Sequence, residues 1–328
     1  MSKICFLTDR LPTDPDPFST LIWNQFLVLA ESHHDVLVVS HLPPPEGERW
    51  QHPRLQVIQP FTSWSIRFLP RFIRLLVGHK PDVLHWIEPS HPKLHHMQWI
   101  TPALAALRKR PLLAMSLWNP RAWERSWVVS GTLPTMDLLF VTHPQHREIL
   151  WRSWPQMMSR VILAPLLFSN EQPSNHWVTA WASEFDFIPG DLADVTDTAD
   201  LVDLLDRSLS GSEARKAIIP MSNREMRFQF LEALRDRELD GRVAIFETLD
   251  WPTWSELFAR ARQVRADVLT AKSPYLSLAM QWSKSRNRPI QLNQEQQALL
   301  TEVQWQDAFN FLGRAYQAAS KEKEARIH

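Results

Sequence analysis

Three apolar runs of this chain end in residues able to meet a ligand. Val83-Leu84 leads into His85, with Glu88 three positions on. Pro111 to Leu117 leads into Trp118, and Leu138 to Thr142 into His143. The ends of parallel strands are where open α/β sheets bind ligands, so His85, Glu88, Trp118 and His143 are the candidate cleft residues. Trp118 can stack on a ring or donate one N–H, nothing more. Trp123 and Trp127 follow it four apart, as sugar-stacking rings do, although packing explains them equally. Arg224 and Arg227 lie in Asn223-Arg224-Glu225-Met226-Arg227, and guanidinium forks suit a diphosphate. A solvated helix start is the plainer alternative for both arginines. His91, His95 and His96 cluster beyond Glu88, and helical spacing sets His91 and His95 on one face, as metal ligands stand. No His-Glu-x-x-His pattern accompanies them, so a polar wall is the simpler reading and no metal centre is expected.

Glycine is scarce: 7 in 328 residues, where average usage of about 7% would give roughly 23. Glycine allows backbone to approach phosphate closely or to turn with positive φ, so phosphate-cradling loops are poorly supplied. Lysine plus arginine equal aspartate plus glutamate at 36 each, which removes any global attraction to nucleic acid, and no nucleic-acid partner is expected. Cys5 is the only cysteine, so no internal disulfide forms and a reducing cytoplasm is expected. The opening Met-Ser-Lys-Ile-Cys-Phe-Leu-Thr-Asp reaches an acid too early for a signal peptide. No run of about 18 uncharged apolar residues predicts a membrane span. Arg67, Arg71 and Arg74 share one face of a predicted helix, and Leu69, Phe72, Ile73 and Leu76 another. Such a helix can lie on anionic lipid as a peripheral contact, or pack on a sheet with its basic face solvated. Asp194, Asp197, Asp200, Asp203 and Asp206 recur at every third position, which reads as a helix cap and a solvated face.

The elements that position these residues alternate strand with helix, which predicts an α/β protein with doubly wound parallel sheets. Lys3–Thr8, Asp35–Ser40, Leu55–Ile58, Pro81–Trp86, Pro111–Leu117 and Leu138–Thr142 read as strands. Helices are predicted over 19–30, 65–77, 95–107 and 144–154. After a polar stretch over 169–183 the alternation restarts with strands at Phe185–Ile188, Ala217–Pro220, Val243–Phe246, Asp267–Thr270 and Pro289–Leu292. Helices over 199–209, 224–237, 253–261 and 275–283 lie among them, the third opened by a Thr253-Trp254-Ser255-Glu256 capping box, and a helix over 296–321 ends the chain. The domains are therefore 1–168 and a smaller 184–310, with 311–328 a helix end and tail.

Two such halves resemble a GT-B glycosyltransferase, and the first resembles the family 4-type enzymes. Ile4-Cys5-Phe6-Leu7-Thr8-Asp9-Arg10-Leu11-Pro12 matches their opening strand and loop, and His34-Asp35-Val36 their entry to the second strand. Lys80-Pro81-Asp82-Val83-Leu84-His85 with Glu88-Pro89, and Asp137 to Val141 with Arg147-Glu148, are similar to later units. The likeness spans most of 1–165 and is fainter beyond. It implies two Rossmann-like domains facing across a cleft, an acceptor-type and a donor-type, and a nucleotide sugar as donor.

The resemblance also implies four devices for that donor. A diglycine loop is replaced by Asp14-Pro15-Asp16-Pro17, a strand-end histidine by Leu117-Trp118, and an Arg–Lys pair by Arg224 and Arg227 at most. The carboxylates of a Glu-x7-Glu motif fall on Pro274 and Trp282. The expectation is a catalytically degenerate glycosyltransferase homologue, with no assigned catalytic residue and no cofactor. It would be an accessory or binding subunit of polysaccharide or glycoconjugate synthesis, with a partner glycosyltransferase or carbohydrate ligand. The alternative is an active transferase that uses a UDP- or GDP-sugar at an atypical site, and a third is a binding protein unrelated to sugars.

Overall fold

Apolar runs without polar alternation suit strands covered on both faces. The computed structural model describes residues 2–87, 101, 104, 110–118, 131–168, 184–302 and 310–327, apart from breaks at 9, 13–15, 48–49, 61, 63–64, 191–193, 196, 212–213, 222, 248, 250 and 271–272. The chain divides into two units: Met1–Thr13, Ser19–Leu167 and Trp305–His328 form one, and Asp14–Phe18 with Phe168–Gln304 the other.

The first unit holds β1 (Lys3–Leu7), β2 (Asp35–Val39), β3 (Leu55–Ile58), β4 (Val83–Ile87), β5 (Leu112–Leu117), β6 (Leu138–Val141) and β7 (Val161–Leu163). They form one seven-stranded sheet in the order β3-β2-β1-β4-β5-β6-β7, and every pairing is parallel. All side chains of β4, β5 and β6 are buried, as a doubly covered sheet demands. The short edge strand β7 carries too few residues to announce itself in the sequence. On the sheet lie α1 (Pro17–Glu31), α2 (Leu69–His79) and α3 (Pro144–Ser153). Leu21, Ile22, Phe26 and Leu29 of α1 are buried as their spacing predicts, Phe26 within 4.3 Å of Phe6. The helix expected over 65–77 is a 3-10 turn, Ile66–Phe68, followed by α2. Phe72 and Leu76 face inward, but Ile73 is 39% exposed and leaves the apolar face it was assigned to. The helix expected over 95–107 lies outside the described residues, Thr101 and Leu104 excepted.

Two aspartates fasten the strand starts. Asp82 accepts from the Lys3 N–H at 2.7 Å. Asp137 accepts both arms of Arg110 at 2.6 Å and the Leu113 N–H at 2.9 Å.

The second unit holds β8 (Glu184–Phe187), β9 (Arg215–Pro220), β10 (Val243–Phe246) and β11 (Gln263–Val264), in the parallel order β10-β9-β8-β11. The strands expected at 267–270 and 289–292 do not form: Leu269 and Gln291 make only single bridges, to Val195 and Arg265, and the strand of this region is β11, just ahead of the first. Arg265 holds Asp267 in a two-point pair at 3.0 and 2.9 Å instead. The helices are α4 (Thr198–Leu209), α5 (Arg224–Arg235), α6 (Trp251–Arg260), α7 (Pro274–Arg286) and α8 (Gln294–Glu302). α6 starts two residues before Thr253, so that threonine lies in the first turn and the capping box does not form. Most of the aspartate series does cap and solvate α4: Asp197 accepts from the Ala199 N–H, while Asp203 and Asp206 pair with Arg237; Asp194, ahead of the helix, is buried instead. At the end of β8, Gly190 has φ +152, and a Cβ there would come within 2.7 Å of the Leu269 side chain.

The single C-terminal helix expected over 296–321 is two: α8 in the second unit and α9 (Phe311–Ile327) in the first. Its end does not stop at 321, because Lys323 donates to the Arg110 and Pro111 carbonyls at 3.0 and 3.2 Å. Tyr316 reaches inward to His85 Nδ1 at 2.5 Å.

Two stability changes follow. Tyr316→Phe leaves His85 Nδ1 buried without its partner, so urea unfolding should show a loss of about 1–3 kcal/mol at unchanged m-value. Glu238 closes the turn after α5 at φ 57, its N–H donating to the Arg235 carbonyl. Left-handed backbone costs a non-glycine residue about 1–2 kcal/mol, part of which glycine loses in the unfolded chain, so Glu238→Gly should stabilise by roughly 0.5–1 kcal/mol.

Candidate functional site

Ligands of parallel sheets meet the C-terminal ends of the strands. In the first unit those ends carry Thr8 after β1, Ser40 after β2, Trp118 after β5, and Thr142 and His143 after β6, all nearly or fully buried. Thr8 Oγ1 accepts from the Arg10 N–H and Ser40 Oγ from the Leu42 N–H, so both hydroxyls tighten their own turns.

His85 is not among these strand ends. β4 runs two residues past it, which turns an expected cleft residue into a mid-strand core residue of zero exposure. Its Nε2 meets Ser116 Oγ at 2.8 Å and its Nδ1 meets the Tyr316 hydroxyl. Phe6 and Phe140 flank the ring at 5.2 and 5.3 Å. Burial pushes the imidazole down to about 3 and the Tyr316 phenol well above its ordinary range. Both stay neutral, so one ring nitrogen donates and the other accepts. Glu88, His91, His95, His96, Trp123 and Trp127 lie outside the described residues.

His143 does stand at a strand end. It is the N-cap of α3, with Nδ1 accepting from the Gln145 N–H at 3.2 Å, which places the ring proton on Nε2. The His143 carbonyl receives the next two amides, of His146 and Arg147. The α3 N-terminus is thus satisfied by its own chain. His146, one turn in, faces His143 with ring centroids 5.4 Å apart, and both are fully buried. Burial lowers His143 to about 4, while burial and the neighbouring His143 hold His146 well below its usual range. The first unit therefore presents neutral imidazole, hydroxyl and indole at these strand ends. Sequence reasoning missed His146 and Tyr316. The i, i+3 spacing of the two histidines was the available signal for one. For the other it was rarity, since the chain has only two tyrosines.

In the second unit the arginines start α5. Asn223 caps that helix, accepting from the Glu225 and Met226 amides at 3.0 and 3.2 Å. Arg224 is exposed, and Arg227 reaches Glu247 at 3.4 Å. Beside them Phe228 is 63% exposed. Helix α7 is capped by Ser273, which accepts from the Tyr275 N–H at 3.2 Å, and is buried over Leu276–Ser283. Pro274 is buried in its first turn. Trp282 stacks on Phe258 at 4.8 Å and 20°, and Tyr275 on Trp254 at 5.3 Å and 8°. Both positions assigned to donor carboxylates are core. At the start of α1, Asp16 accepts from the Phe18 N–H at 3.3 Å, so a carboxylate occupies the helix end that an anion would need. Among the described residues no group of three or more His, Cys, Asp or Glu is placed to hold a metal. No described helix is long and apolar enough to cross a membrane.

No protein-family model matches this sequence, and no curated protein matches it either. Solved structures do match. Sucrose-phosphate synthase of Thermosynechococcus elongatus superposes with TM-score 0.60 at 14% identity, over 97% of this chain and 89% of that one. Anabaena HepE, in complex with UDP and glucose, gives 0.59 at 15% identity, over 88% and 80%. The S. aureus MnaA–UDP structure gives 0.57 at 11% identity, over 100% and 89%. The fold is therefore GT-B, two Rossmann-like parallel-sheet units in one chain, shared by glycosyltransferases and a UDP-binding protein at identities that establish fold alone.

The neutral histidines set a pH dependence. In the unfolded chain they titrate near 6.5, whereas His85 and His143 are held at about 3 and about 4 and His146 well below its usual range. The unfolded state then binds protons first, so the contribution is complete above pH ~6.5 and is lost as pH falls, through about 4 for His143 and about 3 for His85. Each histidine should remove up to roughly 1.4 kcal/mol per pH unit in that window. Urea unfolding across it should show the decline, and His146→Phe should make it shallower.

Proposed function

We propose that this chain is a glycosyltransferase-like protein without transferase activity of its own. On this reading it serves polysaccharide or glycoconjugate synthesis as an accessory subunit beside an active glycosyltransferase, or as a carbohydrate-binding subunit. The observation that carries the reading is the state of α7. A donor site of this fold must hold ribose hydroxyls and neutralise a departing diphosphate, work done by carboxylates and cations aimed at the nucleotide. At Pro274 there is no charge, and at Trp282 there is an indole stacked inside the core. Restoring a carboxylate at 282 would take a buried aromatic out of its stack and set a charge among apolar rings, which costs several kcal/mol.

Two further observations support it. The start of α1 is taken by the Asp16 carboxylate, which repels phosphate as well as replacing it. At the start of α5 the capping Asn223 uses the first-turn amides and Arg227 is committed to Glu247, so among the described residues Arg224 is the one cation there with no ion pair. One guanidinium on a helix start gives far less than the clamp a diphosphate leaving group requires.

Calorimetric titration of the full chain with UDP, GDP and a panel of their sugars tests the proposal. The expected result is no saturable heat and no sugar release or transfer above the protein-free rate. Binding with turnover that Arg224→Ala abolishes would overturn it and establish the alternative, an active transferase with an atypical donor site.

A further inference from the structure

We infer that the open edge strand β10, with the flank of α5 beside it, is the contact through which two copies of this chain pair about a two-fold axis. The inference stands on the second unit alone and holds whether or not the chain transfers sugar.

β10 ends the order β10-β9-β8-β11, so among the described residues one side of it has no neighbouring strand. The Ala217 N–H donates to the Arg242 carbonyl and the Met221 N–H to that of Phe246. The even-numbered residues of β10 therefore bond β9, and Val243 and Ile245 turn their N–H and C=O groups to the open side. Glu247 bends away from the strand. Strand edges are ordinarily guarded by proline, by a charge or by a bulge. Val243-Ala244-Ile245-Phe246 has no proline and no charge, its register on β9 is unbroken, and its last three residues are only half-buried. The flank of α5 nearest this edge is apolar as well. Phe230 and Leu234 turn α5 onto its sheet. Arg227 reaches Glu247, just past β10, at 3.4 Å, which marks the flank on the β10 side. At 3.6 residues per turn the half-buried Leu231 follows Arg227 on that flank, and Phe228, 63% exposed, lies further round.

A second copy of the same edge is the partner that fits. Turned antiparallel about an axis through Ala244, it sets Val243 of each copy opposite Ile245 of the other, and each such pair exchanges both of its N–H···O=C bonds. Every open backbone group of β10 is then used. Crossover helices on strands about 4.8 Å apart stand two spacings, about 10 Å, from their neighbours, so the two α5 helices come within packing distance and cover Leu231 and Phe228. Charge selects β10 among the edges. It is flanked by Arg242 and Glu247, so the antiparallel copy lays the basic end of one strand beside the acidic end of the other. The other edge strands, β3, β7 and β11, are flanked by Arg54, by Arg160, and by Arg262 with Arg265, and none has an acid at either end. A contact made of the same surface on both copies closes with the pair and leaves no edge open there.

Sedimentation velocity of the full chain over a dilution series tests this. A dimer should predominate at high concentration and dissociate on dilution. Ile245→Pro removes the outward N–H of each copy and spares the ladder to β9. The dimer then loses one hydrogen bond per copy at about fivefold each, so it should weaken roughly twenty-five-fold. Phe228→Glu should weaken it as well. Phe228 is exposed, so the unfolding midpoint of that variant should stay at the parent's value, which separates lost pairing from lost folding. Ala244→Cys sets a thiol opposite its own copy at a Cα separation of about 4.5 Å, within reach of a disulfide, and mild oxidation should join the two chains. Cys5 is buried and takes no part. A monomer at every concentration, a dimer indifferent to Ile245→Pro and Phe228→Glu, or an Ala244→Cys chain that oxidation leaves unlinked would overturn the inference.

Discussion

An imidazole lies at the middle of the seven-stranded sheet, and its surroundings decide how the first unit is assembled. His85 is on β4, the central strand of the sheet order, with apolar neighbours on both sides. A buried polar group without partners costs as much as a lost hydrogen bond or more. Ser116 on the adjacent β5 satisfies one nitrogen. The other is satisfied from 231 positions away, by Tyr316. The sheet therefore calls for the last helix of the chain, and the first unit is built from both ends of the sequence. Lys323 repeats the attachment two turns later, at the carbonyls leading into β5. Phe311 adds a ring contact to Phe140 at its start. Three anchors along one helix explain why α9 stays ordered to Ile327 despite a run of charged residues.

The two units treat their polar groups differently. In the first, histidines and hydroxyls at the strand ends are neutral and turned to local work, capping α3 or closing turns. In the second, charges are paired within the unit: Asp186, nearly buried, takes both arms of Arg262 at 3.0 and 2.8 Å and the Ser208 hydroxyl at 2.7 Å. Among the described residues neither arrangement leaves a cluster of uncompensated cations aimed at one point, which is what recognition of a diphosphate asks of a protein.

The fold was legible because burial on both faces makes parallel strands read as unbroken apolar runs. Cys5 to Leu7, Val36 to Val39 and Leu138 to Val141 could be nothing else. What failed was local. The expected strand Pro81–Trp86 puts His85 near its C-terminal end, whereas β4 continues to Ile87 and Tyr316 and Ser116 satisfy the ring inside it. The chemistry of Ile73 points inward, and only the angle set by Phe72 and Leu76 turns it outward. The short strands at 267–270 and 289–292 yielded to the Arg265–Asp267 pair and to single bridges. The candidate site was less legible than the fold. Its residues depend on where strands stop and on partners far away in sequence, and neither leaves a periodic signal.

Scarce glycine takes on a physical meaning beside these contacts. Of the seven glycines only Gly47 and Gly190 have positive φ, while His33, Lys80, Glu238, Asn287 and Asn310 hold left-handed turns that glycine ordinarily takes. Glycine at 190 answers a steric demand, the approach of Leu269, together with a φ of +152. Gly313 is similar: a Cβ there would run into the Asn310 side chain and stand 3.3 Å from His34 Nε2. A phosphate-binding loop keeps glycine against its cost in conformational entropy, because only bare backbone can come close enough. Where no phosphate is bound that constraint lapses, and any residue with a side chain to pack gives the stabler unfolded-to-folded balance. Of the seven, Gly190, Gly211 and Gly313 stand where a Cβ would crowd a neighbouring side chain, while Gly78, Gly131 and Gly241 have open space around them, so internal packing accounts for some of the glycines and leaves the others without a steric demand.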